Sequence, residues 1–539
     1  MAALTLGSQI LALVRDRIFA HTFGAGATLD LYYAAFRVPD LVFAIVASLV
    51  SAYVLIPRIA GGNKKEIRRL LSHSASFLLI AGGLASLVLY AWMPNLLGFL
   101  FPDLMAGSRA EEFVFLGRLL LLQPLLLGLS GILTSVTQVH RRFVLFALSP
   151  VFYNLGIIAG AIFFYPVYGL VGVGIGVVLG AVVHLLIHIP VVMVAGVFPH
   201  PVVPSMKLMW SIVRDSVPRS LALGLGAVTT LLLTSLAARV GEGSVSVFTL
   251  AGNLEAVPLA LIGASYATAA FPVLAEEAKG KRSEAFRQTL LTAARHLLFW
   301  SAVASVLMIV LRAHIVRTLL GSGAFDWDAT RLTAALVSVL VVGLAAQCFV
   351  LLASRAFYAS GRSWNPLMIQ AAGVIVSAGS AALLLAFSQE IPLLRYFIEA
   401  LFRIEDVPGS EVVFIALGAT LGQLVMGGVA LATLGSVAPG VSRSLVRPLL
   451  EGGAAGIVGG AFAYNVLVLM GNIAPLTTLA AVFTQGLVAG MVGLTVSGIV
   501  LRLLANKEFE EVYEALKRLT SLKALPPHEL AATNDRADT

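Results

Sequence analysis

The sequence predicts an all-α, polytopic membrane protein of about 14 transmembrane helices, arranged as two six-helix lobes followed by two further helices. Three observations predict it. Apolar runs of about 20 residues, enough for a helix to cross roughly 30 Å of hydrocarbon, recur along nearly the whole chain. The composition is 59% hydrophobic and 12% charged, with a mean hydropathy of +0.94, whereas soluble domains are about a quarter charged. The chain also repeats itself. The segment from Pro57, PRIAGGNKKEIRRLLSHSASF, matches that from Pro272, PVLAEEAKGKRSEAFRQTLLTAARHLLF, and Pro150 is matched by Pro366, at offsets of 215 and 216 residues. Barrel strands are not expected, because the runs lack the apolar/polar alternation of such strands.

Polar breaks divide the chain into spans near 3–22, 29–56, 73–100, 112–136, 143–164 and 168–195. After a polar, proline-containing joint at 199–216 come spans near 217–238, 244–274, 288–311, 331–354, 364–387 and 411–435. Two more follow near 446–470 and 476–501. The expected organisation is an N-lobe at 1–198, a C-lobe at 199–437, two additional helices at 438–503 and a cytoplasmic tail at 504–539. In that tail EFEEVYEALKRLTSLKAL reads as an amphipathic surface helix and 525–539 as disordered. The opening run has no basic leader and meets Arg15 and Asp16 rather than a small-residue cleavage site, so it is expected to stay as the first membrane helix. Six spans per unit in one orientation make this a parallel repeat, with the axis along the membrane normal.

Basic residues set the orientation. Loops after even-numbered spans hold Lys64, Lys65, Arg68, Arg141, Arg142, Lys207, Lys279, Arg282, Arg355, Arg362 and Arg443, while loops after odd-numbered spans hold far fewer. The even loops, and with them both termini, are therefore expected in the cytoplasm. The net charge of +8 reads as topology rather than as a nucleic-acid surface.

Enzyme chemistry finds no foothold. There is no GxxxxGK[ST] and no HExxH, so neither catalysis nor a cofactor is expected. His184 and His188 stand i, i+4 on the sixth span without a third ligand nearby, which favours polar packing over a metal site. Cys348 is the single cysteine and lies in the apolar run LAAQCFVLLAS. The glycines of GLVGVGIGVVLG at 169–180 read as small-residue helix packing.

The candidate site is the opening hairpin, LALVRDRIFAHTFGAGATLDLYYAAFRVPD at 11–40. A charge at the centre of a membrane helix costs roughly 2.5 to 3.5 kcal/mol on insertion scales, so such residues face a hydrated cavity or a partner. Near a helix end the same residues snorkel to the interface and only anchor. Arg15 and Arg17 are about 200° apart on a helix, so one of them at most faces a given cavity. That one, with Arg37, Asp16 and Asp30, makes a cationic, partly neutralised wall suited to phosphate, because guanidinium donors match phosphate oxygens in pairs. In the second unit Asn253 and Glu255 precede Pro258 as Arg37 precedes Pro39. Gly24 and Gly26 are expected to let the hairpin turn tightly, and Pro39 and Pro258 to act with them as gate or hinge positions.

The run LALVRDRIFAHTFGAGATLDLYYAAFRVPDL, with LLGSGAFDWDAT at 319–330 and ASRAFYASGRSWNP at 353–366, resembles the MurJ/MviN family of lipid II flippases in the multidrug/oligosaccharidyl-lipid/polysaccharide exporter superfamily. The resemblance implies two lobes around a central cationic cavity, C-terminal helices that hold a lipid-tail groove, and export of a polyprenyl-pyrophosphate-linked peptidoglycan precursor. Arg15 matches the family's cavity arginine on the first helix, Asp16 and Asp30 its carboxylates, and Arg37 a basic position on the second. Gln9, Phe43, Ala44 and Asn253 stand where the family commonly has basic residues.

The expectation is thus a flippase of the bacterial inner membrane moving lipid II by alternating access. Its partners would be the lipid-linked oligosaccharide, membrane lipids and cell-wall synthesis machinery, with no nucleic acid. A flippase of capsule or O-antigen type glycan lipids, an exporter of cationic drugs, and a transport-dead membrane scaffold are the alternatives.

Overall fold

Long helices account for the apolar runs in a computed structural model that describes residues 2–280, 282–473 and 478–522. Among the described residues there is no strand. We number the helices α1 (Ala2–Phe23), α2 (Ala27–Val42, prolonged by a π turn at Phe43–Ala47 and a short helix at Ala52–Ile59), α3 (Lys64–Leu100), α4 (Ala110–Val139), α5 (Phe143–Tyr168) and α6 (Leu170–Val194). Next come α7 (Met206–Ala238), α8 (Ser244–Lys279), α9 (Ser283–Leu319), α10 (Trp327–Ala359), α11 (Trp364–Glu390) and α12 (Val412–Leu434). The series closes with α13 (Val446–Asn472), α14 (Leu479–Leu503) and α15 (Lys507–Leu522).

Twelve of these, α3 to α14, are long and apolar enough to cross a membrane. The remaining two long helices, α1 and α2, each carry three charged residues: Arg15, Asp16 and Arg17 on one, Asp30, Arg37 and Asp40 on the other. Their charge sets them apart from the scaffold, and the same charges make them the site candidates.

Several helices outrun the expected spans. α3 begins at Lys64, near the start of the basic loop, because Asn63 and Glu66 form a reciprocal capping box at 3.0 Å and no breaker separates its amphipathic first turns from the apolar run. α7 begins inside the expected joint, at Met206. The remainder of that joint is strapped along α3: the backbone N–H groups of His200, Val202 and Ser205 donate to Ser72 Oγ, Ser76 Oγ and His73 Nδ1, each at 3.1 Å. The second span is interrupted instead, at extended Ser51. The tail helix spans Lys507–Leu522, and the tail at 525–539 lies outside the described residues.

The repeat is visible in the packing. In the first half α5 packs on α6 and α1 on α5, and in the second α11 packs on α12 and α7 on α11. Glycine lets these pairs approach: a Cβ at Gly156 of α5 would lie 2.4 Å from Gly180 Cα of α6, and one at Gly418 of α12 would lie 2.4 Å from Ala381 Cα of α11. α13 and α14 pack on one another and on α9. One end of the bundle carries the basic loops, and we call it the basic end.

Candidate functional site

The junction of the two halves holds the charged hairpin. On α1, Arg15 donates from Nε and Nη2 to Asp16 Oδ1 at 3.0 and 2.7 Å, and from Nη1 to Asn154 Oδ1 of α5 at 3.1 Å. Asp16 is buried, and its other oxygen accepts from Asn253 Nδ2 of α8 at 2.9 Å. This carboxylate therefore ties the arginine of the first half to the second half. A buried ion pair holds only where its remaining donors and acceptors are met, which the two asparagines do here. Arg17 turns the other way, as its spacing requires, and donates to Thr318 O at the end of α9 at 2.5 Å.

Arg37 lies in α2 facing α8, where its Nη2 donates to Thr249 Oγ1 at 3.0 Å, while its Nε is buried with no hydrogen-bond partner. The same side chain lines a cavity of about 390 Å³ whose other walls come from α7, α8, α10, α11 and α12. Asn253 and Glu255 line it too, with Gln347, Gln370 and Gln423. Glu255 is buried and accepts a hydrogen bond from Gln347 Nε2 at 2.5 Å, and Gln423 lines the same cavity. Arg37, Asn253 and Glu255 thus share one cavity, and Arg15 and Asp16 join it through Asn253.

Asp30 is placed elsewhere, at the end of the bundle opposite the basic loops. Its Oδ2 accepts from the N–H of Gly243 at 2.7 Å, and its Oδ1 from the N–H and hydroxyl of Ser246 at 2.7 and 2.5 Å. It caps α8 from across the junction. In return Glu242 Oε1 accepts from the N–H of Ala27, the first residue of α2, at 3.0 Å. Gly24 and Gly26 sit in this seam. Gly24 has φ +63°, and a Cβ there would lie 2.5 Å from Ala324 O; Gly26, the N-cap of α2, would place one 3.4 Å from Glu242 Oε1. The N–H of Ala324 donates to His21 O at 2.9 Å.

Pro39 stands four residues before a π turn at Phe43–Ala47 in α2, and Pro258 directly precedes one at Leu259–Ala264 in α8. Proline removes one i→i−4 donor, and a π turn is a one-residue slip in the ladder that concentrates at functional sites. His184 and His188 pack against hydroxyls of α4: Ser130 lies 2.7 Å from His184 Nδ1, and Thr134 and Thr137 lie 2.9 and 3.1 Å from the two ring nitrogens of His188.

Asn154, Thr249, Gln347, Gln423, Glu242 and Ser246 also belong to this region, and nothing in the sequence alone singles out most of them. Apart from Glu242, which stands between Gly241 and Gly243 in the α7–α8 loop, each is a polar residue beside apolar neighbours whose partner is distant in sequence. Only Glu242 and Ser246 carry a signal, since they stand 215 and 216 residues from their partners Ala27 and Asp30, the period of the repeat.

A second cavity, of about 960 Å³, opens among α9, α10, α13 and α14. Its walls include Val306, Val310, Ile457, Leu467 and Val468, with Arg312 and Arg403 also lining it.

A paired bundle of six-helix units with charge at their junction and two appended helices is the architecture of a two-lobed membrane carrier. Solved structures share the fold. A structure described as "Lipid II flippase MurJ, inward closed conformation" aligns with a TM-score of 0.70 at 20% identity, covering 94% of this chain and 99% of that one. An inward-facing multidrug resistance MATE family transporter of the MOP superfamily aligns at 0.61 and 18% identity, over 85% and 98% of the two chains. Residues 19–393 match the family described as Lipid II flippase MurJ, and the chain belongs to that family. Among its relatives are the "Probable lipid II flippase MurJ" of Thermotoga maritima, 28% identical over 70% of this chain and 76% of that protein, and the "Lipid II flippase MurJ" of Burkholderia cenocepacia, 24% identical over 70% and 75%.

Proposed function

We propose that this chain flips lipid II from the inner to the outer leaflet of the bacterial inner membrane by alternating access, with both termini in the cytoplasm. Family membership supports the cargo. The observation that carries the mechanism is the Arg15–Asp16–Asn253 link, in which the charge on one half is neutralised by one carboxylate that also holds the other half. A pyrophosphate entering the junction competes with Asp16 for the Arg15 guanidinium, and the competition weakens the bond between the halves. Cargo binding and movement are then one event.

In this reading Arg15 is the first pyrophosphate ligand and Arg37, which lines the cavity that both halves share, the second. Asp16 orients Arg15, and Asn253 and Glu255 offer polar contacts to the head group. Asp30 contributes by holding the halves together at the outer end, with Gly24 and Gly26 in the seam. The rocking bodies are residues 1–198 and 199–437, bent at Pro39 and Pro258, while 438–503 border the larger cavity, whose apolar walls suit the polyprenyl tail. The few cations at the junction favour, as the second reading, another polyprenyl-linked glycan of the same phosphate chemistry.

The experiment is flipping by purified protein in liposomes containing lipid II. Wild type is expected to expose lipid II on the far leaflet, and Arg15→Ala to lose at least about tenfold, since charge-assisted bidentate bonds are the strong class. Equal rates for the two would remove Arg15 from the site.

A further inference from the structure

At the basic end of the first half a cavity of about 720 Å³ opens between the start of α3, the α4–α5 turn and the end of α6. Lys64, His140, Arg141 and Arg142 line its polar side, and no carboxylate does. None of these four forms an ion pair among the described residues. The other side is apolar, with Phe143, Val144, Val191 and Val194. Val144 and Val194 are 59% and 90% exposed, so this wall is continuous with the lipid-facing surface.

The turn itself is built for the charge. Arg141 has φ +55° where the helix α4 ends, and its N–H and that of Arg142 donate back to Gln138 O and Thr137 O at 2.9 and 3.0 Å. Glycine or asparagine is the usual residue in that left-handed closing position, and an arginine there meets steric opposition. The arrangement puts two successive arginines beside the first lysine of α3, above an apolar wall that follows the membrane.

We propose that this cavity binds one anionic phospholipid of the inner leaflet, its phosphate on Lys64, Arg141 and Arg142 and an acyl chain along Phe143, Val144 and Val194. Basic pockets between membrane helices on the cytoplasmic side recognise anionic headgroups, and the apolar wall selects a lipid over a free anion. The site rests on the proposed orientation, which brings these loops to the inner leaflet. It lies on the outer flank of the first half, apart from the junction, so its occupant is a resident lipid and not the cargo.

The test is native mass spectrometry of the full chain in detergent, titrated with phosphatidylglycerol or phosphatidylethanolamine. Wild type is expected to retain phosphatidylglycerol at concentrations at least about fivefold lower, because each cation near an anionic headgroup is worth about fivefold in affinity. The combined variant Lys64→Gln, Arg141→Gly, Arg142→Gln should lose this preference. Glycine suits the φ of position 141, so the turn survives, and an unchanged melting curve would confirm the fold. Lys279→Gln with Arg282→Gln, in the α8–α9 loop, should keep the preference. Equal retention of the two lipids by wild type, or an undiminished preference in the triple variant, would overturn the site. Displacement of the lipid by millimolar inorganic phosphate would overturn the lipid assignment in favour of a free anion. Because the readout is binding and not flipping, a negative result leaves the transport reading to be judged separately.

Discussion

Asp30 in α2 caps α8 on the opposite half of the molecule, taking the N–H of Ser246 at 2.7 Å, while Glu242 just before α8 caps α2 at Ala27. Each contact joins a residue to its own counterpart in the other half, 216 and 215 residues away. Such a reciprocal pair sits on the pseudo-two-fold axis, and it closes the end of the bundle away from the basic loops. A carboxylate on helix N–H groups also meets the positive end of the helix dipole.

Replacing Asp30 by asparagine should therefore loosen that end specifically. A lost charge-assisted cap costs about 1–2 kcal/mol. Hydrogen exchange at residues 24–31 and 241–248 should quicken by about five- to thirtyfold on that scale, while exchange within α11 and α12 stays unchanged.

The same seam leaves no room for side chains. Gly243 has φ +83°, and a Cβ there would lie 2.5 Å from Ala25 O; Gly323 has φ +61° and would place one 2.3 Å from His21 O. Gly361, at φ +74°, has open space around it. Alanine at 361 should cost only the left-handed penalty of about 1–2 kcal/mol. At 243 or 323 the clash adds to it, so both variants should melt well below the Gly361→Ala protein in a thermal scan.

Inside the cavity, Gln347 supplies a donor to the buried Glu255 carboxylate. Gln347→Leu should destabilise by about 1–3 kcal/mol, the cost of stranding a buried acceptor. Adding Glu255→Gln to that background should restore part of the loss, as a double-variant melting series would reveal.

Pro258 leaves one carbonyl of α8 without its helical donor, next to the π turn at Leu259–Ala264. Pro258→Ala can mend the ladder. We expect a higher melting temperature together with slower flipping, and a variant as fast as wild type would remove the hinge role.

The long helices were legible because spanning length and hydropathy are local properties, and α3 to α14 all correspond to apolar runs. The repeat was legible in Pro57 and Pro272, and its period returns in the Ala27–Glu242 and Asp30–Ser246 contacts. What the chain alone could not show was direction. The two-residue spacing shows that Arg15 and Arg17 diverge but not which of them faces the junction, and it is Arg15 that reaches Asn154 while Arg17 reaches Thr318. Asp30 lies in the same hairpin as Arg15 and ends instead at the seam away from the basic loops. Nor do Thr249 and Gln347 stand out among their apolar neighbours, because a single hydroxyl or amide does not alter the hydropathy of a helix. Their importance comes from Arg37 and Glu255, which tertiary packing brings to them.

The central claim is that this chain moves lipid II by way of Arg15. The most direct measurement is complementation in a bacterium depleted of its own lipid II flippase, scoring growth and lipid II exposure at the outer surface. The account predicts that wild type restores both and that Arg15→Ala, inserted at the same level, restores neither. Rescue by Arg15→Ala as complete as by wild type, or no exposure from an inserted wild-type protein that still flips another polyprenyl-linked glycan, would contradict it.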